Sequence, residues 1–327
     1  MYVIENKMTR PQYNLALEEY LCARSTRDGS RFFMLWQNEP SIIVGRFQNT
    51  LAEINADFVE NEGIHVVRRN SGGGAVYHDL GNINYSFIVP DENADFDFAL
   101  FTQPVINALA ALGVAVEHSG RNDIAIDGKK ISGGAQFRRG GTVLHHGTLL
   151  YDTDLDILSR SLNVSEDKFK DKAVKSVRSR VTNIRPYLLD PLPVSEFQQR
   201  FQREIQGLIP LELGADALAE VSRLEREKYA TRSWNYGVSP RFTEHKKKRF
   251  LWGGIEAFLN VEDGSVADCS FHGDYFGSGE TAPLLELLRG TPYTRESVRS
   301  RLENFDFSAV FAGATAEEMI ALLSPDI

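Results

Sequence analysis

Residues 68–79 of the 327-residue chain read Arg-Arg-Asn-Ser-Gly-Gly-Gly-Ala-Val-Tyr-His-Asp, with β-type sequence on both sides. Three successive glycines lose much conformational entropy on folding, so such a run is typical of a backbone that approaches a ligand closely or adopts unusual φ angles. Its N–H groups can face an anion, and the two arginines add fixed positive charge. A plain hairpin loop with solvated arginines explains the composition equally well.

Short β-type runs surround this loop and indicate a sheet. They cover Phe32 to Trp36, Ser41 to Phe47, Ile64 to Arg69, and Ala75 to Val89. Farther along, Asp127-Gly128 favours a type I′ turn, because this pair readily adopts positive φ angles. A second turn at Arg139-Gly140-Gly141 leads into another run. We therefore expect an α/β fold of the α+β type, whose large domain has a mixed, mostly antiparallel sheet flanked by helices.

Helical patterns flank the predicted sheet. Residues 13–21 indicate a helix that begins near Pro11, a position that tolerates proline. Residues 98–112 indicate another, which Pro104 should kink or divide. The stretch 190–229 has a helical pattern throughout.

The length favours two domains. We interpret the polar, basic segment 244–249 as a linker between a catalytic domain at 1–243 and a small α+β accessory domain at 250–327. The accessory domain should contain a hairpin turned at Asp263-Gly264 and two or three helices. Thr315 and Glu318 have capping-box spacing and mark the start of the last helix.

Composition excludes several classes of protein. The formal net charge of −9 argues against nucleic acid or an anionic membrane as the main partner. The two cysteines, Cys22 and Cys269, lie far apart and indicate neither a disulfide framework nor a zinc site. The N-terminus lacks the layout of a secretion signal, so we expect a cytoplasmic protein.

A second informative segment follows Gly120-Arg121-Asn122-Asp123 and reads Lys129-Lys130-Ile131-Ser132-Gly133-Gly134. Adjacent strand residues point to opposite faces, so one lysine can face a pocket while the other faces solvent. Lys129 follows the turn directly and is the expected solvent residue. Without other information, two solvated lysines would be the simpler interpretation.

His145-His146-Gly147-Thr148 forms a third segment. Neighbouring histidines on a strand cannot easily bind one metal, so we expect one to pack in the sheet and the other to line a site. Ser132 lacks the elbow motif of hydrolases. No window fits a P-loop, and Gly277-x-Gly279-x-x-Ala282 matches the dinucleotide fingerprint only formally, because it follows a hairpin.

The fourth segment, 172–183, is basic and rich in small hydroxyl side chains. Such a loop can close over a polyphosphate and exclude water. A solvated linker explains it equally well.

Together and in this order, the four segments resemble the lipoate–protein ligases of the biotin/lipoate protein ligase superfamily. Residues 68–79 resemble the family's lipoate-binding loop, and 172–183 resemble its adenylate-binding loop. Trp234-Asn235-Tyr236-Gly237 and Trp252-Gly253-Gly254 resemble segments near its accessory domain. The resemblance implies ATP-dependent formation of lipoyl-AMP and transfer of the lipoyl group to a lysine of an acceptor. The implied acceptors are the glycine cleavage H protein and the E2 lipoyl domains of 2-oxoacid dehydrogenases.

The same resemblance implies roles for individual residues. Lys130 would be catalytic, touching the lipoate carboxylate and the α-phosphate. On chemical grounds, Mg²⁺ would offset the charges of the β- and γ-phosphates, and Asp123 is a candidate carboxylate ligand for it. The lipoate and adenylate would be bound by Arg69, Ser71, Gly72, Gly73, Gly74, Val76, His78, Asn82, Asn122, Asp123, Ser132, Gly133, His146 and Thr148. The adenylate loop would contribute Lys175, Ser176, Arg178 and Arg180.

Two alternatives remain. A carrier-dependent octanoyl- or lipoyltransferase of the same fold would need a cysteine among the motifs, and neither Cys22 nor Cys269 lies there. A non-catalytic lipoate sensor would be expected to lack Lys130 or to have a broken glycine loop, and both are intact. A biotin ligase fits less well, since its loop is of the Gly-Arg-Gly-Arg type.

Overall fold

Strands drawn from the first two thirds of the chain form one eight-stranded sheet in the order β11-β1-β2-β6-β10-β9-β8-β7. The computed structural model describes residues 1–91, 97–162, 180–237, 243–262 and 264–325. The sheet strands are β1 (Tyr2–Ile4), β2 (Phe32–Trp36), β6 (Asn82–Pro90), β7 (Glu117–Ser119), β8 (Asp123–Ile126), β9 (Lys129–Arg139), β10 (Thr142–Leu150) and β11 (Ile209–Leu211). β1 pairs in parallel with β2 and β11, and the remaining pairs are antiparallel. The expected mixed, mostly antiparallel sheet is confirmed.

A second sheet of three strands covers part of the first. Its strands are β3 (Ser41–Val44), β4 (His65–Arg68) and β5 (Val76–His78), in the order β4-β3-β5. The glycine-rich loop joins β4 to β5. This loop therefore lies where the two sheets meet, which is the feature of the fold that positions the site.

Turn residues set the register of the central hairpins. Asp127 and Gly128 have φ angles of 50° and 71°, as the predicted turn between β8 and β9 requires. Gly140 and Gly141, with φ angles of 59° and 79°, connect β9 to β10. β10 then pairs with β6 along its whole length, from Thr142 to Leu150.

Helices pack on both faces of the large sheet. They are α1 (Pro11–Asp28), α2 (Thr50–Glu53), α3 (Ala56–Asn61), α4 (Ala99–Ala111), α5 (Leu155–Ser161), α6 (Val194–Glu204), α7 (Ala215–Leu224) and α8 (Arg232–Tyr236), with single turns at Arg185–Tyr187 and Glu225–Tyr229. One core lies between the sheet, α4 and α6, and another lies between the sheet and α1. Among the described helices, none is long and apolar enough to cross a membrane.

The C-terminal part has its own core. An antiparallel sheet of β12 (Glu244–Phe250), β13 (Gly253–Glu262) and β14 (Ser265–Gly273) packs on α9 (Ala282–Leu288), α10 (Arg295–Leu302) and α11 (Ala316–Leu323), with a 3₁₀ turn at Phe307–Ala309. Thr315 and Glu318 form the predicted capping box. Because every strand pair here is antiparallel, the Gly277-x-Gly279-x-x-Ala282 stretch lies outside any βαβ unit.

Three expectations about secondary structure were wrong. Residues 244–249 are not a linker but belong to β12, where His245 stacks on Phe258 of the neighbouring strand and Lys247 pairs with Glu256. The stretch 190–229 contains β11, which pairs with β1 and interrupts the helices.

The third concerns Pro104, which does not divide α4 but lies inside one continuous helix. It lies in the second turn, and the carbonyl that its missing N–H would bond belongs to the exposed Leu100. Solvent can then replace the lost hydrogen bond. The domain limits 1–243 and 250–327 stay a prediction.

Candidate active site

A cavity of about 270 Å³ lies between the two sheets, beneath the glycine-rich loop. Its floor is formed by β9, β10, β6 and β2, which are consecutive neighbours in the large sheet. Its lining residues are Leu15, Trp36, Ile43, Arg69, Gly73, Gly74, Ala75, Val76, His78, Asn84, Asn122, Lys130, Gly133, Gly134, Ala135, His146, Gly147, Thr148 and Phe276. Lys130 on β9 and Trp36 on β2 come from the two outer strands of this floor. Leu15, Trp36 and Ile43 belong to one hydrophobic cluster, whereas Phe276 packs with Ala135 of β9.

Lys130 faces the cavity, whereas Lys129 is exposed, as strand alternation predicted. Its Nζ lies 2.8 Å from Asp123 Oδ1 on β8. A Cβ on Gly133 would come within 2.5 Å of that Nζ, so the glycine leaves room for the lysine side chain. The ammonium is half-exposed and held in place by one carboxylate. It can therefore meet an anionic ligand at this end.

Arg69 is buried and holds the glycine-rich loop from inside. Its guanidinium donates to the carbonyl oxygens of Ile43, Gly72 and Gly74 at 3.0, 2.7 and 2.9 Å, and its Nε donates to Ser71 Oγ. Burial lowers the pKa of Arg69 to about 10, which leaves the side chain charged at neutral pH. The loop is thus shaped around a fixed cation.

Arg68 is also buried but points away from the cavity. It donates to the carbonyl oxygens of Trp234, Gly45, Arg46, Gln48 and Asn235. Burial lowers its pKa to about 10. Neither arginine is solvated, so the interpretation of a plain hairpin with solvated arginines is wrong.

Below the loop, a buried hydrogen-bond chain joins Arg69, Ser71, His146 and Glu18. Ser71 Oγ lies 2.6 Å from His146 Nε2, and His146 Nδ1 lies 2.9 Å from Glu18 Oε1. This resembles a nucleophilic triad, yet Ser71 is 0% exposed and already accepts from Arg69 Nε. A side chain without access to a substrate cannot attack it. This chain of hydrogen bonds therefore holds the glycine-rich loop in place and orients His146.

The two adjacent histidines divide as expected. His146 lines the cavity, whereas His145 packs between aromatic rings, with ring centroids 5.0 Å from Phe101 and 5.9 Å from Tyr85. Burial lowers the pKa of His145 to about 3. His78, at the apolar end, is also buried, and its pKa is lowered to about 3.

The low pKa values of these two histidines predict that the folded protein loses stability in acid. In the unfolded chain each should titrate near 6.5, so below that pH unfolding takes up protons that the folded state excludes. We expect the unfolding free energy to fall by about 1.4 kcal/mol per pH unit for each histidine as the pH drops from about 6 towards 3. Urea unfolding at several pH values measures this slope. His145→Phe should remove one half of the slope that the two histidines contribute together. An unchanged slope would contradict the assignment of a low pKa to His145.

The structure brings most of the predicted site residues together. Those that line the cavity are Lys130, Arg69, Gly73, Gly74, Val76, His78, Asn122, Gly133, His146 and Thr148. Four lie directly behind it: Ser71 in the buried chain, Gly72 beneath the Tyr275 carbonyl, Asn82 bonded to Asn84, and Asp123 paired with Lys130. Ser132 is buried on β9 between two lining positions.

Only residues 180–183 of the predicted adenylate loop are described; there Val181 forms an isolated β-bridge with Lys130, and the Thr182 N–H donates to the Lys130 carbonyl at 3.0 Å. Lys175, Ser176 and Arg178 lie outside the described residues, and Arg180 is exposed beyond the cavity lining. Their proposed roles stay predictions.

The resemblance implies an elongated apolar channel, but sequence reasoning did not assign its residues and missed a contribution from the C-terminal part. Leu15, Trp36 and Ile43 come from hydrophobic runs whose pattern indicates only a core. Phe276 reaches the cavity from the segment after β14. The Tyr275 carbonyl accepts from Gly73 N–H at 3.2 Å, and Arg121 lies 4.4 Å from the Phe276 ring.

Neither cysteine is among the residues that line the cavity. Cys22 lies on α1, where burial raises its pKa well above the usual range, and burial raises the pKa of Cys269 on β14 to about 12. A protonated, buried thiol is a poor nucleophile. This argues against a cysteine thioester.

The amino-acid sequence also matches known protein families. Residues 10–206 match the family described as lipoyl protein ligase A/B catalytic domain, and residues 239–323 match the bacterial lipoate protein ligase C-terminus. The chain is 41% identical to lipoate-protein ligase LplJ of Bacillus subtilis, over 99% of each chain.

Solved structures agree. A bipartite lipoate protein ligase of Thermoplasma acidophilum, studied with its E2 lipoyl domain, is 30% identical, with a TM-score of 0.65 over 73% of this chain and 97% of that chain. A lipoate-protein ligase A bound with ATP is 26% identical, with a TM-score of 0.63 over 73% of this chain and 99% of that chain.

Proposed function

The chain belongs to the lipoate–protein ligase family, and from this membership we propose that it joins lipoate to an acceptor lysine at the expense of ATP. Lipoate and ATP would first give lipoyl-AMP and pyrophosphate. The lipoyl group would then pass to the lysine Nζ of an acceptor, releasing AMP. The cavity carries this proposal, because it combines a cationic end at Lys130 with an apolar end at Trp36.

The first half-reaction needs two anions to approach each other. A carboxylate oxygen of lipoate attacks the α-phosphorus, and the bond to the pyrophosphate oxygen breaks. In a partly dry site that approach costs electrostatic energy. The Lys130 ammonium, held 2.8 Å from Asp123, would lie between the two anions and offset the charge that develops on the phosphate.

In the second half-reaction the neutral acceptor amine attacks the acyl carbon of the mixed anhydride. The bond between that carbon and the phosphate oxygen breaks, AMP leaves, and the amine loses its extra proton. No nucleophile from the enzyme is needed, consistent with the raised thiol pKa of both cysteines. We propose E2 lipoyl domains and the glycine cleavage H protein as acceptors, and the cytoplasm as the location.

Mg²⁺ would accompany ATP. The described residues contain no group of three or more His, Cys, Asp or Glu side chains that could hold a metal. Mg²⁺ is commonly bound by one or two carboxylates together with substrate phosphates, and Asp123 offers one carboxylate beside Lys130. The ion would neutralise charge on the β- and γ-phosphates. The segment containing Lys175, Ser176, Arg178 and Arg180 would cover the adenylate.

An acceptor assay tests the function. The purified chain is incubated with Mg-ATP, lipoic acid and an apo H protein or an apo E2 lipoyl domain, and the acceptor is weighed by intact-mass spectrometry. We expect a gain of one lipoyl group that requires ATP. A gain without ATP, from a lipoyl-carrier protein and abolished in the Cys22→Ser/Cys269→Ser variant, would instead establish the transferase.

A further inference from the structure

An irregularity in β9 decides where the Lys130 side chain points. Within the described hairpin 123–139, the register between β8 and β9 shifts so that Ile131 has no register partner on β8. In a regular strand, residues an odd number of positions apart face opposite sides. Lys130 and Gly133 are three positions apart, yet both line the cavity. The extra residue is therefore a β-bulge that turns the Lys130 ammonium into the cavity.

A bulge disrupts the strand ladder locally, so the backbone at Lys130 needs support from other elements. On one side, Ile131 is buried in the core between the large sheet, α4 and α6. On the other side lies the segment 181–185. Val181 forms a parallel bridge with Lys130, and the Thr182 N–H donates to the Lys130 carbonyl oxygen at 3.0 Å. Val181 also packs against the apolar cluster of the second sheet.

One side chain, that of Asn183, fixes the segment 181–185. Its Oδ1 accepts from the Thr153 N–H at 3.1 Å, and its Nδ2 donates to the Thr153 carbonyl oxygen at 2.9 Å. An amide suits this pairing because it presents an acceptor and a donor side by side. Thr153 is buried, so water cannot readily replace either bond. The Ile184 N–H then donates to the Leu150 carbonyl oxygen at 2.7 Å, which ties the segment to the end of β10.

We propose that Asn183 is a positioning residue for Lys130, because it fixes the segment that holds the bulge and so keeps the ammonium aimed at the reacting anions. This assignment rests on the proposed function and deepens it. Asn183 is not among the residues that line the cavity, so it acts through the Lys130 backbone and not on the ligand. A small displacement of a catalytic group costs much rate. The effect on turnover should therefore exceed the effect on substrate binding.

ATP–pyrophosphate exchange with lipoate by the Asn183→Ala variant tests this role. We expect kcat to fall about tenfold, because a displaced ammonium stabilises the transition state less well. The KM for lipoate should stay within about twofold of the wild-type value, since the apolar walls are unchanged. Thr182→Pro removes the N–H that reaches Lys130 and should give the same pattern. Arg185→Ala is the matched control: it removes an exposed ion pair with Asp152 from the same segment and should leave exchange within about twofold of the wild-type rate.

A double variant separates positioning from a general loosening of the fold. In the Lys130→Ala background, Asn183→Ala should lower exchange no further, because no ammonium is left to position. Thermal melting checks that each variant is folded at the assay temperature. The inference is wrong if both Asn183→Ala and Thr182→Pro exchange within about twofold of the wild-type rate, or if Asn183→Ala still costs about tenfold in the Lys130→Ala background. An absence of exchange in the wild-type chain would instead refute the proposed function, and this inference with it.

Discussion

Replacing Lys130 by alanine is expected to lower ATP–pyrophosphate exchange with lipoate by at least about 10²-fold, the scale of losing one transition-state donor. Lys130 is placed at the cationic end of the cavity, and Asp123 holds its ammonium. Without it, the carboxylate and the α-phosphate would approach each other with no fixed charge between them. Initial rates at saturating Mg-ATP and lipoate measure the effect.

Lys129→Ala is the matched control, since Lys129 is exposed on the same strand. This variant should exchange within about twofold of the wild-type rate, as expected for the loss of a side chain that faces solvent. Supplying preformed lipoyl-AMP to the Lys130→Ala variant separates the two half-reactions, and transfer to the acceptor should suffer less than exchange. Near-normal exchange in Lys130→Ala would remove this residue from the mechanism.

Local rules predicted the parts of the site that depend on strand alternation. Lys129 and Lys130 diverge because neighbours on β9 face opposite sides, and the same rule separates His145 from His146. The turn at Asp127-Gly128 was predictable because few residues accept its φ angles. In each case the decisive interaction spans only a few residues.

The remainder depends on contacts between distant segments. Nothing local distinguishes Phe276 from a core phenylalanine, since it joins the cavity through contacts with distant segments, such as those with Arg121 and Ala135. Glu18 looks like any glutamate on an amphipathic helix. In the structure, however, it is the last member of a buried series of hydrogen bonds and is bonded there to His146. The strand at 244–249 was missed because its charged side chains mask an alternating pattern, in which Lys246 is buried and its neighbours are exposed.

Arg69 also became clear only in three dimensions. The sequence indicates a charge beside the loop, whereas the structure shows a buried guanidinium that holds three carbonyl oxygens and Ser71 Oγ. Glu18, reached through Ser71 and His146, partly offsets that charge. Arginine suits this role because its rigid planar guanidinium spreads five donors over three nitrogens, whereas a lysine has three donors on one nitrogen.

Arg69→Met is therefore expected to lower the unfolding free energy by about 3 kcal/mol or more, since each buried acceptor left unsatisfied costs about 1–3 kcal/mol. Urea unfolding at pH 7 measures the loss, and the KM for lipoate should rise as the glycine loop loosens. The unfolding free energy of Arg69→Lys should lie between those of the wild-type chain and Arg69→Met, because lysine keeps the charge without the guanidinium fork. Arg139→Met, on the exposed β9–β10 turn, should change stability by less than about 0.5 kcal/mol. If Arg69→Met unfolded like the wild-type chain, the loop would owe its shape to its glycines and to the Tyr275 contact rather than to the buried cation.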